Sequence, residues 1–99
     1  MRKVRLSEKQ ISTIKETAKS VFGEDCKVYI FGSRADLSRR GGDIDILILT
    51  KNTKNKFKKK IKFIANLYKR LGEQKFDVII TDNPKTDIEK IAFKTGVEI

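Results

Sequence analysis

The sequence predicts a small α/β domain of the α+β kind, with a three-stranded mixed sheet in the order 1-2-3 and about four flanking helices. Three short runs rich in β-branched and aromatic residues predict the strands. The segments between them repeat apolar residues every three or four positions, as helices do. The 99 residues are expected to form one domain, 1–99, with a small core and a large surface. Binding to a partner protein and formation of a homo-oligomer are both expected ways to cover that surface.

The helix termini carry recognisable capping signals. Ser7 begins the first predicted helix, Gln10 completes a capping box, and Gly23 ends the helix. A helical repeat of apolar residues predicts the side that covers the sheet: Ile11, Ile14, Ala18, Val21 and Phe22. A second capping box, Thr86 with Glu89, begins the last predicted helix.

The three predicted strands cover 27–31, 43–49 and 75–80. The second contains an uninterrupted apolar run, which favours a central position in the sheet. The polar ends of the strands meet if the first strand is antiparallel to the second and the third is parallel to it. The segment between strands two and three then forms a right-handed crossover helix. A short helix is also predicted over 33–37, directly after the first strand.

The longest predicted helix, 54–71, combines an apolar stripe with a strong positive charge. We expect the stripe to face the core, and its members are Phe57, Ile61, Ile64, Tyr68 and Leu71. Between Lys51 and Arg70 there are nine basic residues and no acidic one, in a chain of net charge +10. A solvated helix surface, a nucleic-acid interface and a surface for an acidic partner are the three interpretations. Burial of the aromatic rings would favour an acidic partner, or attraction of polyphosphate, over nucleic acid.

Residues with chemical potential gather at the ends of the strands. Gly32 allows the backbone to approach a ligand, and Ser33 can bond to a phosphate at the start of the next helix. Asp43 and Asp45 are two positions apart on a strand, so they point the same way and suit a hard cation such as Mg²⁺. Asp77 would lie on the neighbouring strand, ~5 Å away. The alternative is a turn followed by a strand with solvent-facing acids.

The composition excludes several classes of chemistry and location. The chain has no histidine, and so lacks the usual general base and the usual zinc ligand. A single cysteine, Cys26, excludes an internal disulfide and is expected to be a small buried residue. No segment approaches the ~20 apolar residues of a membrane span, and the N-terminus lacks the apolar region of a signal peptide. We therefore expect a cytoplasmic protein that does not interact with membranes.

The order strand, Gly32-Ser33, connection, Asp43-x-Asp45, strand resembles the signature of the DNA polymerase beta-like nucleotidyltransferases. The short chain is similar to the minimal nucleotidyltransferases of prokaryotes, which are usually encoded beside a small helical HEPN protein. The resemblance covers nearly the whole chain, including a closing helix and extended tail over 91–99. It implies the nucleotidyltransferase fold, with Asp77 as the third catalytic and metal-binding carboxylate.

The resemblance also implies Mg²⁺-dependent transfer of AMP from ATP to a hydroxyl group. The Asp-x-Asp pair would hold two Mg²⁺ ions, one of them shared with Asp77. Gly32 and Ser33 would bind the β- and γ-phosphates, and Arg34 would place a guanidinium on the triphosphate. The alternative for Arg34 is an ordinary surface arginine.

By resemblance, the acceptor would be a tyrosine of a HEPN toxin, which makes the chain the antitoxin of a toxin–antitoxin pair. Two alternatives come from other classes of protein. The chain could neutralise its partner by binding alone, without catalysis. It could also be a small basic module that binds nucleic acid, although this interpretation is the less favoured one.

Overall fold

The computed structural model describes residues 4–32, 43–72 and 74–99. Within these ranges the chain forms three helices and a four-stranded mixed sheet of order β3-β2-β1-β4. The elements are α1 (Glu8–Phe22), β1 (Lys27–Phe31), β2 (Ile44–Leu49), α2 (Lys56–Leu71), β3 (Phe76–Thr81), α3 (Asp87–Thr95) and β4 (Val97–Glu98). The short helix predicted over 33–37 lies outside the described residues.

The directions predicted for the first three strands are confirmed. β1 pairs antiparallel with β2, and Phe31 lies opposite Asp45. β2 pairs parallel with β3, and Asp45 lies opposite Asp77. Because β2 and β3 are parallel neighbours, α2 has to cross the sheet between them. This register is the feature that positions the acidic residues.

The predicted three-stranded sheet is wrong in strand number and in its complete order, because β4 adds a fourth strand beside β1. The Ile99 N–H continues the pairing and donates to the Val28 carbonyl at 2.9 Å. Gly96 allows α3 to end close to this edge, since an added Cβ would lie only 2.6 Å from the Ala92 carbonyl oxygen. A strand of two residues is too short to show the alternation by which strands are recognised.

The main core lies between one side of the sheet and the helices α1 and α2. Its largest fully buried side chains come from all of these elements: Ile14, Phe22, Ile30, Ile44, Ile46, Ile48, Phe63, Leu67 and Ile80. Phe22 of α1 meets Phe63 of α2 edge to face, with ring centroids 5.6 Å apart. Cys26 is a free, buried thiol in the same cluster, as expected.

A smaller cluster covers part of the other side of the sheet. Tyr29, Leu47 and Ala92 are its buried members. The Tyr29 ring packs against Phe93 of α3, with centroids 5.2 Å apart. This side also carries the odd-numbered residues of β2 and β3, and therefore the acidic residues.

The expected orientation of α2 is wrong. Three members of the predicted stripe are exposed: Phe57 (74%), Ile61 (53%) and Tyr68 (46%). The helix instead inserts Phe63 and Leu67, which are fully buried, into the core. Two members of the predicted stripe, Ile64 and Leu71, pack partly buried against that core. The helix thus has two adjacent apolar surfaces, and residue spacing alone does not show which of them meets the sheet.

The predicted helix caps are confirmed at both capping boxes. The Gln10 N–H donates to Ser7 Oγ at 3.1 Å, and the Ser7 N–H donates to Gln10 Oε1 at 2.8 Å. Thr86 and Glu89 form the same reciprocal pair at the start of α3. None of the helices in the described ranges is long and apolar enough to cross a membrane.

The orientation of α2 predicts opposite results for two phenylalanines on the same helix. Phe63→Ala should lower the free energy of unfolding by about 3–5 kcal/mol, because it empties a fully buried site. Phe57→Ala should change it by no more than about 0.5 kcal/mol. Urea unfolding followed by circular dichroism measures both. Equal losses for the two variants would contradict this orientation.

Candidate active site

Three aspartates gather where β2 and β3 begin. Asp45 and Asp77 are direct partners across the parallel strand pair, which corresponds to ~5 Å between strands. Asp43 precedes Asp45 by two residues and therefore lies on the same side of the sheet. Asp43 and Asp45 are half-buried and Asp77 is exposed. The structure thus places Asp45 beside Asp77, as the sequence predicted, with Asp43 near Asp45, while the catalytic roles of all three stay a prediction.

The environment of Asp45 opposes its ionisation. Burial is the largest cause that raises the pKa of Asp45 above its ordinary value of 3.8. The negative charge of Asp77, a hydrogen bond to Asp77 and the charge of Asp43 raise this pKa further, whereas Lys75 lowers it. The cluster therefore carries more negative charge than its own residues neutralise, and a cation that binds there would relieve the repulsion.

Lys75 is a member of this cluster to which the sequence analysis assigned no role in the site. Its Nζ lies 3.7 Å from Asp43 Oδ2; the Lys75 side chain is largely exposed and that of Asp43 is about half exposed. An exposed ion pair of this length contributes little to stability. The signal available in the sequence was position, because Lys75 precedes Asp77 by two residues and shares its side of the strand.

Gly32 is held against the Asp45 carboxylate. Its φ of +69° lies in the left-handed region, and a Cβ added there would overlap Asp45 Oδ2 and lie 3.1 Å from Asp45 Cγ. Only glycine meets both conditions without strain. The predicted contact between Gly32 and a phosphate stays a prediction. Ser33 and Arg34, the other two predicted phosphate-binding residues, lie outside the described residues.

The acidic cluster supplies part of the set of oxygen ligands that a divalent cation needs. In the part of the chain that the structure describes, no three Asp, Glu, Cys or His side chains are gathered closely enough to form a complete metal site. The adjacent Asp45 and Asp77 nevertheless fit Mg²⁺, which usually takes one or two protein carboxylates and completes its shell with water and phosphate oxygens. The donor atoms present thus suit one hard cation, and the second ion stays a prediction.

The mixed sheet with carboxylates at the start of adjacent parallel strands is consistent with a nucleotidyltransferase fold. A family model described as "Polymerase beta, Nucleotidyltransferase" matches residues 9–99. The chain therefore belongs to this family, and nucleotidyl transfer is the general class of reaction that membership indicates. Searches of curated proteins and of solved structures found no match.

The contact between Gly32 and Asp45 predicts a difference between two glycines that both have positive φ. Gly72 also has positive φ, +83°, but an added Cβ there meets nothing within 4 Å. Gly72→Ala should therefore cost only the backbone penalty of about 1–3 kcal/mol. Gly32→Ala should cost more and should move the Asp45 carboxyl resonance in an NMR titration. Equal losses, with the Asp45 resonance unchanged, would contradict the close packing at Gly32.

The raised pKa of Asp45 predicts how stability depends on pH in the presence of a chelator. The folded state binds the Asp45 proton more tightly than the unfolded state, so ionisation of Asp45 costs stability as the pH rises above about 3.8. Asp45→Asn should therefore raise the melting temperature near neutral pH, and the gain should shrink as the pH falls towards that value. Asp82→Asn is the control, because Asp82 pairs with Lys85 at 3.5 Å. A destabilised Asp45→Asn variant at neutral pH would refute the repulsion.

Proposed function

We propose that the protein transfers AMP from Mg²⁺-ATP to a hydroxyl group. The observation that carries this proposal is the register that sets Asp45 beside Asp77 and against the Gly32 backbone. Family membership supports nucleotidyl transfer as the class of reaction. ATP as the substrate, Mg²⁺ as the metal and a protein as the acceptor go beyond that support and belong to the proposal.

In this proposal the three aspartates bind two metal ions. Asp43 and Asp45 would hold the ion that accompanies the triphosphate, and Asp45 with Asp77 would hold a second. Bound ions supply neutralisation of the triphosphate charge and a lower pKa for the acceptor hydroxyl. Asp77, the most exposed of the three acids, is the one placed to meet an incoming acceptor. The acceptor hydroxyl gives up its proton to water, its oxygen bonds to the α-phosphorus, the bond from that phosphorus to the α,β-bridging oxygen breaks, and pyrophosphate leaves.

The phosphate-binding residues follow β1 directly. Gly32 offers its backbone to the β- and γ-phosphates, since no side chain separates it from the carboxylates. Ser33 and Arg34 come next in the sequence and would add a hydroxyl and a guanidinium. The strand order β3-β2-β1 puts Gly32, directly after β1, and Asp77, on β3, to either side of Asp45, which supports transfer between two substrates.

The acceptor that we propose is a tyrosine of a HEPN-type toxin. This choice is supported by the resemblance to minimal nucleotidyltransferases. Addition of AMP to the toxin would silence it, and the protein would act as a cytoplasmic antitoxin. A HEPN reading frame beside the gene would identify the protein to use in the assay.

Asp77→Asn tests the reaction. The substitution is nearly isosteric and removes charge from a repulsive cluster, so the variant should melt no lower than the wild type. Mg²⁺-ATP should still bind, as measured by calorimetry, because Asp43 and Asp45 remain. Addition of AMP to the HEPN protein, followed by mass spectrometry, should fall by about 10³-fold or more.

Asp82→Asn is the matched control and should transfer AMP at the wild-type rate. A folded Asp77→Asn variant that also does so would remove Asp77 from the mechanism. ATP binding of equal strength with and without Mg²⁺ would refute the metal-bridged site. If the wild-type protein adds no AMP and still suppresses the toxin, the enzymatic proposal is refuted in favour of an antitoxin that acts by binding alone.

A further inference from the structure

Helix α2 presents a line of apolar side chains to solvent. We name Phe57, Ile61 and Tyr68 the α2 stripe; their exposed fractions are 74%, 53% and 46%. Their spacing of four and seven residues places them on one side of the helix, over about 16 Å of its length. Isolated exposed apolar residues are ordinary, but a continuous line on a rigid helix is typical of a binding surface.

A row of positive charge runs beside the α2 stripe. Each stripe residue is followed directly by an exposed lysine, in the order Lys58, Lys62 and Lys69. Successive residues turn by about 100° around a helix, so these lysines form a second line parallel to the first. Of the nine basic residues between positions 51 and 70, only Arg70 forms an ion pair within the described ranges, with Glu16 at 3.2 Å. The row therefore attracts negative charge.

The α2 stripe leads towards the acidic cluster. The Tyr68 ring packs against Phe76, with centroids 5.7 Å apart, and Phe76 directly precedes Asp77. β3 is also an edge strand of the sheet, so one of its edges has no strand partner in the described part of the chain. A molecule lying along α2 would thus reach the edge of β3 at the end where Asp77 lies, and it would pass round that edge to meet Asp77, which faces the other side of the sheet from Phe76.

These features favour a protein over other occupants. A second copy related by two-fold symmetry would bring the same basic row against itself. Bases of a single strand stack on successive rings, whereas about 16 Å separates Phe57 from Tyr68 along the axis, and Ile61 between them offers no ring. A membrane-bound helix needs a broad apolar side, but the second apolar side of α2 is occupied by the core through Phe63 and Leu67.

We propose that the α2 stripe and the adjoining edge of β3 are a docking surface for a protein that presents apolar side chains bordered by acidic ones. The apolar side chains cover the stripe, and the acidic ones meet the lysine row. Docking there brings the partner beside Asp77, where it serves as the acceptor; this last step alone rests on the proposed function.

The test uses a defined probe: a fluorescent, crosslinked helical peptide with leucines at the spacing of the stripe and glutamates beside them. Fluorescence anisotropy with the full chain should show saturable binding. A peptide with lysines in place of the glutamates should not bind. Phe57→Ser with Ile61→Ser should weaken binding by at least about tenfold. Lys58→Glu with Lys62→Glu should weaken it and flatten its dependence on salt.

The matched control is Ile88→Ser with Ile91→Ser on α3, because these isoleucines are 62% and 61% exposed. This variant should bind the peptide as the wild type does. The assay measures peptide binding and not AMP transfer, so its result does not depend on whether the proposed reaction occurs. Equal binding by the stripe variant would overturn the proposal. So would tighter binding of single-stranded RNA or of phosphatidylserine vesicles than of the peptide, if the stripe variant loses that binding.

Discussion

The parallel pairing of β2 with β3 is the constraint on which the rest of the structure depends. It sets Asp45 opposite Asp77, although burial and then the negative charge of Asp77 raise the pKa of Asp45. The pairing persists because the other side of the same strands is buried, with Ile44, Ile46 and Ile80 in the main core. A one-residue slip in register would move the core residues of the slipped strand to the other side of the sheet. The apolar core thus holds the acidic residues in an arrangement they would not adopt alone.

In β2 and β3, the residues that stabilise the fold and the residues of the candidate site therefore alternate along the chain. Even-numbered residues of β2 and β3 enter the core between α1 and α2, and odd-numbered ones include the acids. Gly32 completes the arrangement because it leaves room for the Asp45 carboxylate. The acidic residues of the site lie outside the main core, so replacing them leaves its packing intact. Variants that remove their charge therefore report on the site and not on the core.

Much of this arrangement could be predicted from the sequence, because the informative signals are local. Both capping boxes, the directions of the first three strands and the convergence of Asp43, Asp45 and Asp77 follow from residue type and spacing. The orientation of α2 could not be predicted, since two adjacent apolar surfaces share one helix and only contact with the sheet decides between them. β4 was not predicted, because a strand of two residues contains no periodic pattern. Ser33 and Arg34 lie outside the described residues, so their roles in phosphate binding stay predictions.

The division of α2 into a buried and an exposed apolar side has a consequence for how this surface can evolve. Phe63 and Leu67 anchor the helix, so the exposed Phe57 and Ile61 of the α2 stripe are free to vary without endangering the fold. Related chains can then diverge in recognition by exchanging a few surface side chains, while sheet, acids and core stay constant. Duplicated genes would be able to acquire separate partners and avoid cross-reaction through changes on one helix side. Selection for partner choice and selection for folding act here on different residues of the same sixteen-residue element.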